Sequence, residues 1–337
     1  MLTQSELNTL SKNDQVDHFL LIKRIELRNT RTGSSYLSTE LGDKTASMNA
    51  NVWEGFSEVA DKAKIGDIVK VVGSIEEFQG ALQIRVSSIK LAAPKDKVSP
   101  VDFLPVSQRN LEEMKNEFNQ KIKNITNEFL SKLLKQIFSD ERFEKFCLAP
   151  AGKSWHHAYI HGLLEHTLEI IKICELMCEF HSELNRDLLI TGAMLHDIGK
   201  IIELSYNSAF EYSDEGKLIG HIVIASMMVK DEIRQIRLST EKKFPDFPKE
   251  LEDNLLHLIL SHQGKLEHAS PVVPKTAEAI ALYQADELSA KVNAYKNAIN
   301  AEMKGDSSWT RFISLANTDL HKHNISSENK PNKSLFD

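Results

Sequence analysis

No run of about 18 consecutive apolar residues occurs anywhere in the 337-residue sequence, so no membrane-spanning helix is expected. The opening stretch MLTQSELNTLSKNDQ lacks the basic-then-apolar profile of a secretory signal. Cysteine is scarce. Cys147, Cys174 and Cys178 are odd in number and show no CxxC spacing, which fits a thiol-keeping cytoplasm better than a disulfide scaffold. Cys174 and Cys178 lie in an apolar helical pattern and read as small core residues. An excess of positive charge is missing too, and a formal charge of −7 argues against a strongly basic nucleic-acid coat. What is present is ordinary for a soluble chain, 41% hydrophobic and 26% charged, and long enough for two domains with a connector.

The pattern changes along the chain. Residues 19–28, 35–45, 46–54, 67–78 and 81–91 read as strands, rich in aliphatic and β-branched residues or alternating in polarity, with a short helix at about 56–63 between the third and fourth. Five strands with a helix in that place have the order of an OB-fold, a small barrel that binds oligonucleotides on one face. The stretch AAPKDKVSPVDFLPVSQRN carries three prolines and no periodicity, as a linker would. Residues 110–146 then place Leu111, Met114, Phe118, Ile122, Ile125, Phe129 and Leu133 at heptad-like spacing, which predicts a helical connector. From about 155 to 317 the chain reads as helices with short loops, and the closing stretch is polar and expected to be disordered. The expected architecture is multidomain: an N-terminal five-stranded OB-fold β-barrel (1–92), a linker and helical connector (93–150), a C-terminal all-α domain (151–317) and a polar tail (318–337).

Histidine is abundant, with thirteen in all. His166 lies in the apolar-faced GLLEHTLEIIKICELM. His196 and Asp197 close RDLLITGAMLHDIGK. His221 follows Gly220 at the start of another helix, His262 ends NLLHLILSHQG, and Asp286 interrupts an apolar stretch after Ala285. A buried carboxylate without a partner costs several kcal/mol or neutralises itself. Two of them on helices that must pack together need a cation, and four histidines on the same helices make a divalent metal the economical answer. Imidazole and carboxylate without thiolate suit Mn²⁺, Fe²⁺, Zn²⁺ or Co²⁺, and Mg²⁺ less well. His166, His196, Asp197 and Asp286 are candidates to hold one ion, and the count is one or two, with His221 and His262 the candidates for a second and Asp197 shared. Two ions about 3.5–4 Å apart would serve phosphoester hydrolysis. Lys200, three residues after Asp197, is either placed to meet a phosphate oxygen or a solvated lysine at a helix end.

His166, the His196–Asp197 doublet and Asp286, in that order on a helical domain, resemble the HD phosphohydrolase superfamily. The wider stretches WHHAYIHGLLEHTLEI, MLHDIGKIIEL, GKLIGHIVI and ILSHQGKLEHASPVVPKTAEAIALYQADELSAK, with FLLIKRIELRNT near the start, resemble the bacterial YhaM-type 3′–5′ exoribonucleases over roughly residues 15–315. The resemblance implies a manganese-favouring nuclease that removes nucleotides from the 3′ end of single-stranded RNA, with single-stranded DNA as an alternative. Two positions depart from that family. Gln263 stands where a second histidine is common, and His161 where a glycine is expected. His157 and His161 are taken as substrate-side or structural residues, and His257 as a core histidine.

An acidic protein needs another way to hold RNA. Residues 1–93 carry 11 Lys+Arg against 12 Asp+Glu, which counts against tight phosphate-driven binding by the barrel alone. Lys23, Arg24, Arg28, Arg31 and Lys44 suggest a local basic stripe. Tyr36, Trp53 and Phe78 are candidates for stacking bases at about 1–3 kcal/mol each, or else fill the barrel. A weak grip would suit an enzyme that advances along a strand or acts as a homo-oligomer. The alternatives are a phosphohydrolase of free nucleotides and a non-catalytic nucleic-acid-binding protein. The strand platform disfavours the first, and the intact histidine–aspartate set the second.

Overall fold

The computed structural model describes residues 4–30, 33–78, 80–206, 210–238, 246–302 and 307–323. Five strands, β1 (Gln15–Asn29), β2 (Ser35–Gly42), β3 (Ser47–Val52), β4 (Ile68–Phe78) and β5 (Ala81–Leu91), close into a barrel in the order β1-β2-β3-β5-β4. Closure depends on β1. Its first half pairs with β4 (Gln15↔Ser74 to Leu21↔Ile68), and its second half pairs with β2 (Leu21↔Gly42 to Asn29↔Ser35). The register shifts between Ile22 and Arg24, so Lys23 is the extra residue that bends the strand from one partner to the other. Alternating side chains Val16, Leu20, Ile22, Leu37, Leu41, Val69, Val71, Ile75 and Ile84 fill the interior, and α1 (Ser57–Lys62) adds Val59 to them.

Residues 111–148, expected as a connector, form α2 (Leu111–Lys123), α3 (Glu128–Ile137) and α4 (Asp140–Leu148). Asn110 and Asn127 cap the first two through their side-chain oxygens, which explains why the periodic run is divided. Met114, Phe118, Leu130, Leu133, Leu134 and Phe146 belong to the same buried core as the helices that follow. Those helices are α5 (Gly162–Phe180), α6 (Arg186–Leu195), α7 (Lys200–Glu203), α8 (Asp214–Ile219), α9 (His221–Leu238), α10 (Lys249–Ser261) and α11 (Ala277–Glu302). A two-stranded ribbon, β6 (Leu204–Ser205) with β7 (Glu211–Tyr212), is one addition to the all-α expectation.

The barrel is joined to the helices by a small apolar cluster of its own. Leu21 and Ile68 meet Phe103 and Leu104 of the linker and Ile160 and Phe210 of the helical part, all buried. The linker is therefore packed, not loose. The tail also departs from expectation at its start. Residues 318–323 return to 309–313 through the bridges Ile313↔Thr318 and Trp309↔His321, which bury Leu320. The remaining tail, 324–337, lies outside the described residues, as does Arg31. Among the described residues no helix is long and apolar enough to cross a membrane.

Candidate metal centre

Close backbone approaches assemble the centre. A Cβ on Gly199 would sit 2.1 Å from the His221 carbonyl oxygen, so only glycine lets the turn 196–199 lie against the start of α9. A Cβ on Gly162 would sit 2.0 Å from the His157 carbonyl oxygen, and this pins the segment before α5 across that helix. His166 is carried on the first turns of α5, and His196 and Asp197 leave the end of α6. His221 begins α9, His262 caps α10, and Asp286 sits mid-way along α11. The apolar faces of these helices form one core, so the six side chains converge where the helices pack.

Asp197 lies between two groups. Its Oδ2 is 3.3 Å from His196 Nε2 and 3.7 Å from His166 Nε2, and Asp286 Oδ1 is 3.1 Å from His166 Nε2. Its Oδ1 is 3.4 Å from His221 Nε2 and 3.7 Å from His262 Nε2. Within His166/His196/Asp286, and again within Asp197/His221/His262, the ligand atoms all lie within 4.8 Å of one another.

Each ring is held by its other nitrogen. Nδ1–H donates to the Ala193 carbonyl from His196 (2.8 Å), to the Ile259 carbonyl from His262 (2.7 Å), to Glu203 Oε1 from His221 (2.9 Å) and to Ser289 Oγ from His166 (3.1 Å). Those bonds set the tautomer and leave every Nε2 lone pair aimed at the carboxylates. The four Nε2 atoms and Asp197 Oδ1 are buried and make no hydrogen bond. An unsatisfied buried polar atom costs about 1–3 kcal/mol, so five together demand a ligand. Four imidazoles and two carboxylates without thiolate fit a borderline divalent ion. The residues present therefore suit a divalent metal.

Electrostatics follow from burial. Burial, then the neighbouring His157, pushes His166 well below the usual histidine range, and burial with His196 takes His262 down to about 3. Burial also acts against the His196 cation, but the Asp197 carboxylate outweighs it and raises that pKa. Burial disfavours the Asp197 carboxylate, yet Lys200 and His196 overcome it and hold Asp197 ionised.

Lys200 is not the solvated lysine of the second alternative. It is 6% exposed, with Nζ 2.6 Å from Asp197 Oδ2 and donating to the Ala151 carbonyl at 2.6 Å. One of its three donors thus orients the aspartate, and a second anchors the lysine to the Ala151 carbonyl. His157 and His161 have different surroundings. His157 is fully buried, its ring centroid 5.1 Å from that of His166, whereas His161 is bonded through Nδ1 to the Cys147 carbonyl (2.6 Å). His161 has φ 70°, the left-handed region that favours the glycine expected there. Gln263 follows His262 and is half-buried. His257 accepts from the Lys275 backbone N–H (2.9 Å), a structural bond.

Residues that the sequence reading passed over complete the centre. Glu203 fixes His221 by its ring and, at 3.0 Å, by its backbone N–H. Ser289 fixes His166 and itself donates to Glu169 Oε2 (2.8 Å). Ser289 was within reach of sequence reasoning, because it lies three residues beyond Asp286 on one helix face. Nothing at Glu203 distinguished it from a surface acid. His156, half-buried, places its ring centroid 5.1 Å from that of His166. Burial and then Lys200 lower its pKa to about 3.

On the barrel, Tyr36 and Trp53 stack, with centroids 4.6 Å apart and planes at 23°, and Trp53 is 54% exposed. Phe78 is exposed as well, so neither Trp53 nor Phe78 fills the barrel. β3 runs parallel to β5 and pairs with Gln83–Arg85, whereas Phe78 pairs with Ala81 at the start of β5, outside the Tyr36–Trp53 stack. The basic stripe is mostly paired off. Arg28 bonds Glu26, Lys44 pairs with Glu6 at 3.2 Å and Arg24 bonds Asn49, while Lys23 is exposed with its stem over Gly42. Arg85, which was not singled out, shares a groove of about 520 Å³ with Trp53, Ser74 and Ser87.

Comparisons with known proteins agree with these two parts. Residues 163–291 match the model of the HD domain, and residues 21–92 match that of the OB-fold nucleic acid binding domain. The chain is 32% identical over 314 residues to "3′-5′ exoribonuclease YhaM" of Geobacillus sp. (strain WCH70), a match covering 93% of this chain and 94% of that protein. It is 30% identical over 312 residues to the protein of the same name from Oceanobacillus iheyensis, covering 93% and 95%.

Proposed function

This chain belongs to the YhaM-type 3′–5′ exoribonuclease family, and from that premise we propose that it hydrolyses single-stranded RNA from the 3′ end, releasing nucleoside monophosphates with Mn²⁺ as its metal. The observation that carries the reading is Asp197, whose two oxygens face separate imidazole groups. His166, His196, Asp197 and Asp286 would hold one ion, and Asp197, His221 and His262 another. A pair of divalent ions supplies hydroxide near neutral pH and neutralises charge on the phosphate in flight.

The protein's own groups do the positioning. Lys200 holds Asp197 ionised and aimed. The Ala193 and Ile259 carbonyls, Glu203 and Ser289 keep four imidazoles in the ligating tautomer. His156, neutral at pH 7 and half-buried, lies with its ring 5.1 Å from that of His166 at the edge of the centre. The barrel binds nucleic acid upstream, through Tyr36 and Trp53 stacked on its surface, with Lys23, Arg28 and Phe78 as further contacts. With Arg28 and Lys44 paired to glutamates, stacking carries more of the grip than phosphate contacts do. The substrate is a strand and not a free nucleotide, since a mononucleotide has no use for that platform.

Purified protein with Mn²⁺ and 5′-labelled single-stranded RNA provides the test. A ladder shortening from the 3′ end is expected. Cleavage of free nucleotides only, or binding without turnover, would overturn the assignment.

A further inference from the structure

Beside His166 lies a third group of ligand-bearing side chains that the proposed reaction does not use. His157, Glu165 and Glu169 each offer one atom, and these lie within 4.8 Å of one another. His157 is fully buried and neither of its ring nitrogens makes a hydrogen bond. Among the described residues neither glutamate has an ion pair with lysine or arginine, and Lys172, which lines a cleft with Glu169, pairs with Glu117 at 3.1 Å. Two carboxylates and an unbonded buried imidazole thus share a space with no fixed cation.

We infer that His157, Glu165 and Glu169 form a third divalent-cation site, separate from the two groups around Asp197. His157 Nε2 stands 3.3 Å from Glu169 Oε2, which matches His196 to Asp197 (3.3 Å) and His221 to Asp197 (3.4 Å) in the main centre. Two ligand atoms each ~2.0–2.2 Å from one ion lie roughly 3.0–3.5 Å apart. The supports are built in. Ser107 Oγ donates to Glu165 Oε2 (2.5 Å), and Ser289 Oγ donates to Glu169 Oε2 (2.8 Å). The backbone of His157 takes a left-handed conformation (φ 44°), which costs a non-glycine residue about 1 kcal/mol, and its N–H donates to Asn293 Oδ1 at 2.9 Å. One nitrogen and two carboxylates suit Mn²⁺ or Zn²⁺. The site ties the linker, through Ser107, to the helix that carries His166. This goes beyond the nuclease reading and does not depend on turnover.

The test is a count. Full-length protein is stripped with chelator, loaded with Mn²⁺, dialysed, and its bound manganese measured by elemental analysis. Three ions per chain are expected, falling to two in Glu165→Gln, with the third-site affinity weakened at least tenfold in a Mn²⁺ titration. His157→Asn is expected to give the same count and serves if Glu165→Gln does not fold. A count of two or fewer in the unaltered protein, or one that neither variant lowers, overturns the inference. An imidazolium signal for His157 in NMR of the Mn²⁺-free, Zn²⁺-loaded protein would also overturn it, leaving a plain His157–Glu169 ion pair. If RNA is not shortened while three ions are still bound, the nuclease reading fails and this site stands.

Discussion

In the helical part, Asp197 is 2% exposed among four imidazoles, while on the barrel Trp53 keeps 54% of its surface in solvent against Tyr36. The first residue is held by packing on every side, with glycines at the points of closest approach and a second ring of bonds from Lys200, Glu203 and Ser289. The second is held by one stacked neighbour. Desolvation makes the buried polar atoms costly unless a cation satisfies them, and the same desolvation makes the cation's field strong. Stacking on an exposed ring needs no such precision, because every base has a face. Errors in placement should therefore be expensive in one region and cheap in the other.

Four experiments sharpen or break that contrast, in falling order of effect. Asp197→Asn should lower the rate by about 10³-fold or more, as expected from losing ~4 kcal/mol of transition-state stabilisation, and should lower metal content. It also leaves Lys200 buried without its partner. The single variant should accordingly lose about 3 kcal/mol of stability, and Asp197→Asn/Lys200→Met should recover most of it in a denaturant melt. Full turnover in Asp197→Asn would remove the doublet from the centre.

Glu203→Ala frees the His221 ring without touching a ligand, and a Mn²⁺ titration should show one ion bound about 10–100-fold more weakly. Unchanged affinity would mean that backbone packing alone orients the imidazole. On the barrel, Trp53→Ala should weaken binding of a long single strand by ~1–3 kcal/mol while leaving the cleavage rate of a trinucleotide intact. Phe78→Ala, which removes a ring outside the Tyr36–Trp53 stack, should cost less. If Trp53→Ala slows the short substrate equally, the two regions are not separable.

The smallest effect is in pH. In the presence of chelator, His156 and His262, held down to about 3, and His166, also depressed, stay neutral in the fold but charge in the unfolded chain. The unfolded state then binds more protons between about pH 3 and 6.5, so stability is complete above that window and falls as pH drops through it. His196, raised by Asp197, acts in the opposite direction but is one group against three. The midpoint of thermal unfolding should fall by several degrees from pH 7 to pH 5. A flat profile would show that these rings are not desolvated.

Several elements could be read from local pattern. Alternation along 19–28 and 67–91 announces strands, and the 3.6-residue period around His166 and Asp286 announces buried helix faces carrying polar groups that need a partner. The burial of Lys200 was not legible because a lysine at a helix end looks solvated until the Ala151 carbonyl, 49 residues earlier in the chain, is brought against it. The start of the tail, 318–323, reads as polar, yet it pairs with 309–313 because Leu320 finds a place to bury.

Residue types and their periods determined by themselves that this chain has a barrel, a helical domain and a set of imidazoles and carboxylates apt for divalent ions, because those properties depend on neighbours within a few positions. Only the tertiary structure decided that Asp197 turns one oxygen to each group, that Glu203 and Ser289 hold the rings, and that His157 is buried beside Glu165 and Glu169. These depend on helices far apart in the chain packing at angles that no local period encodes.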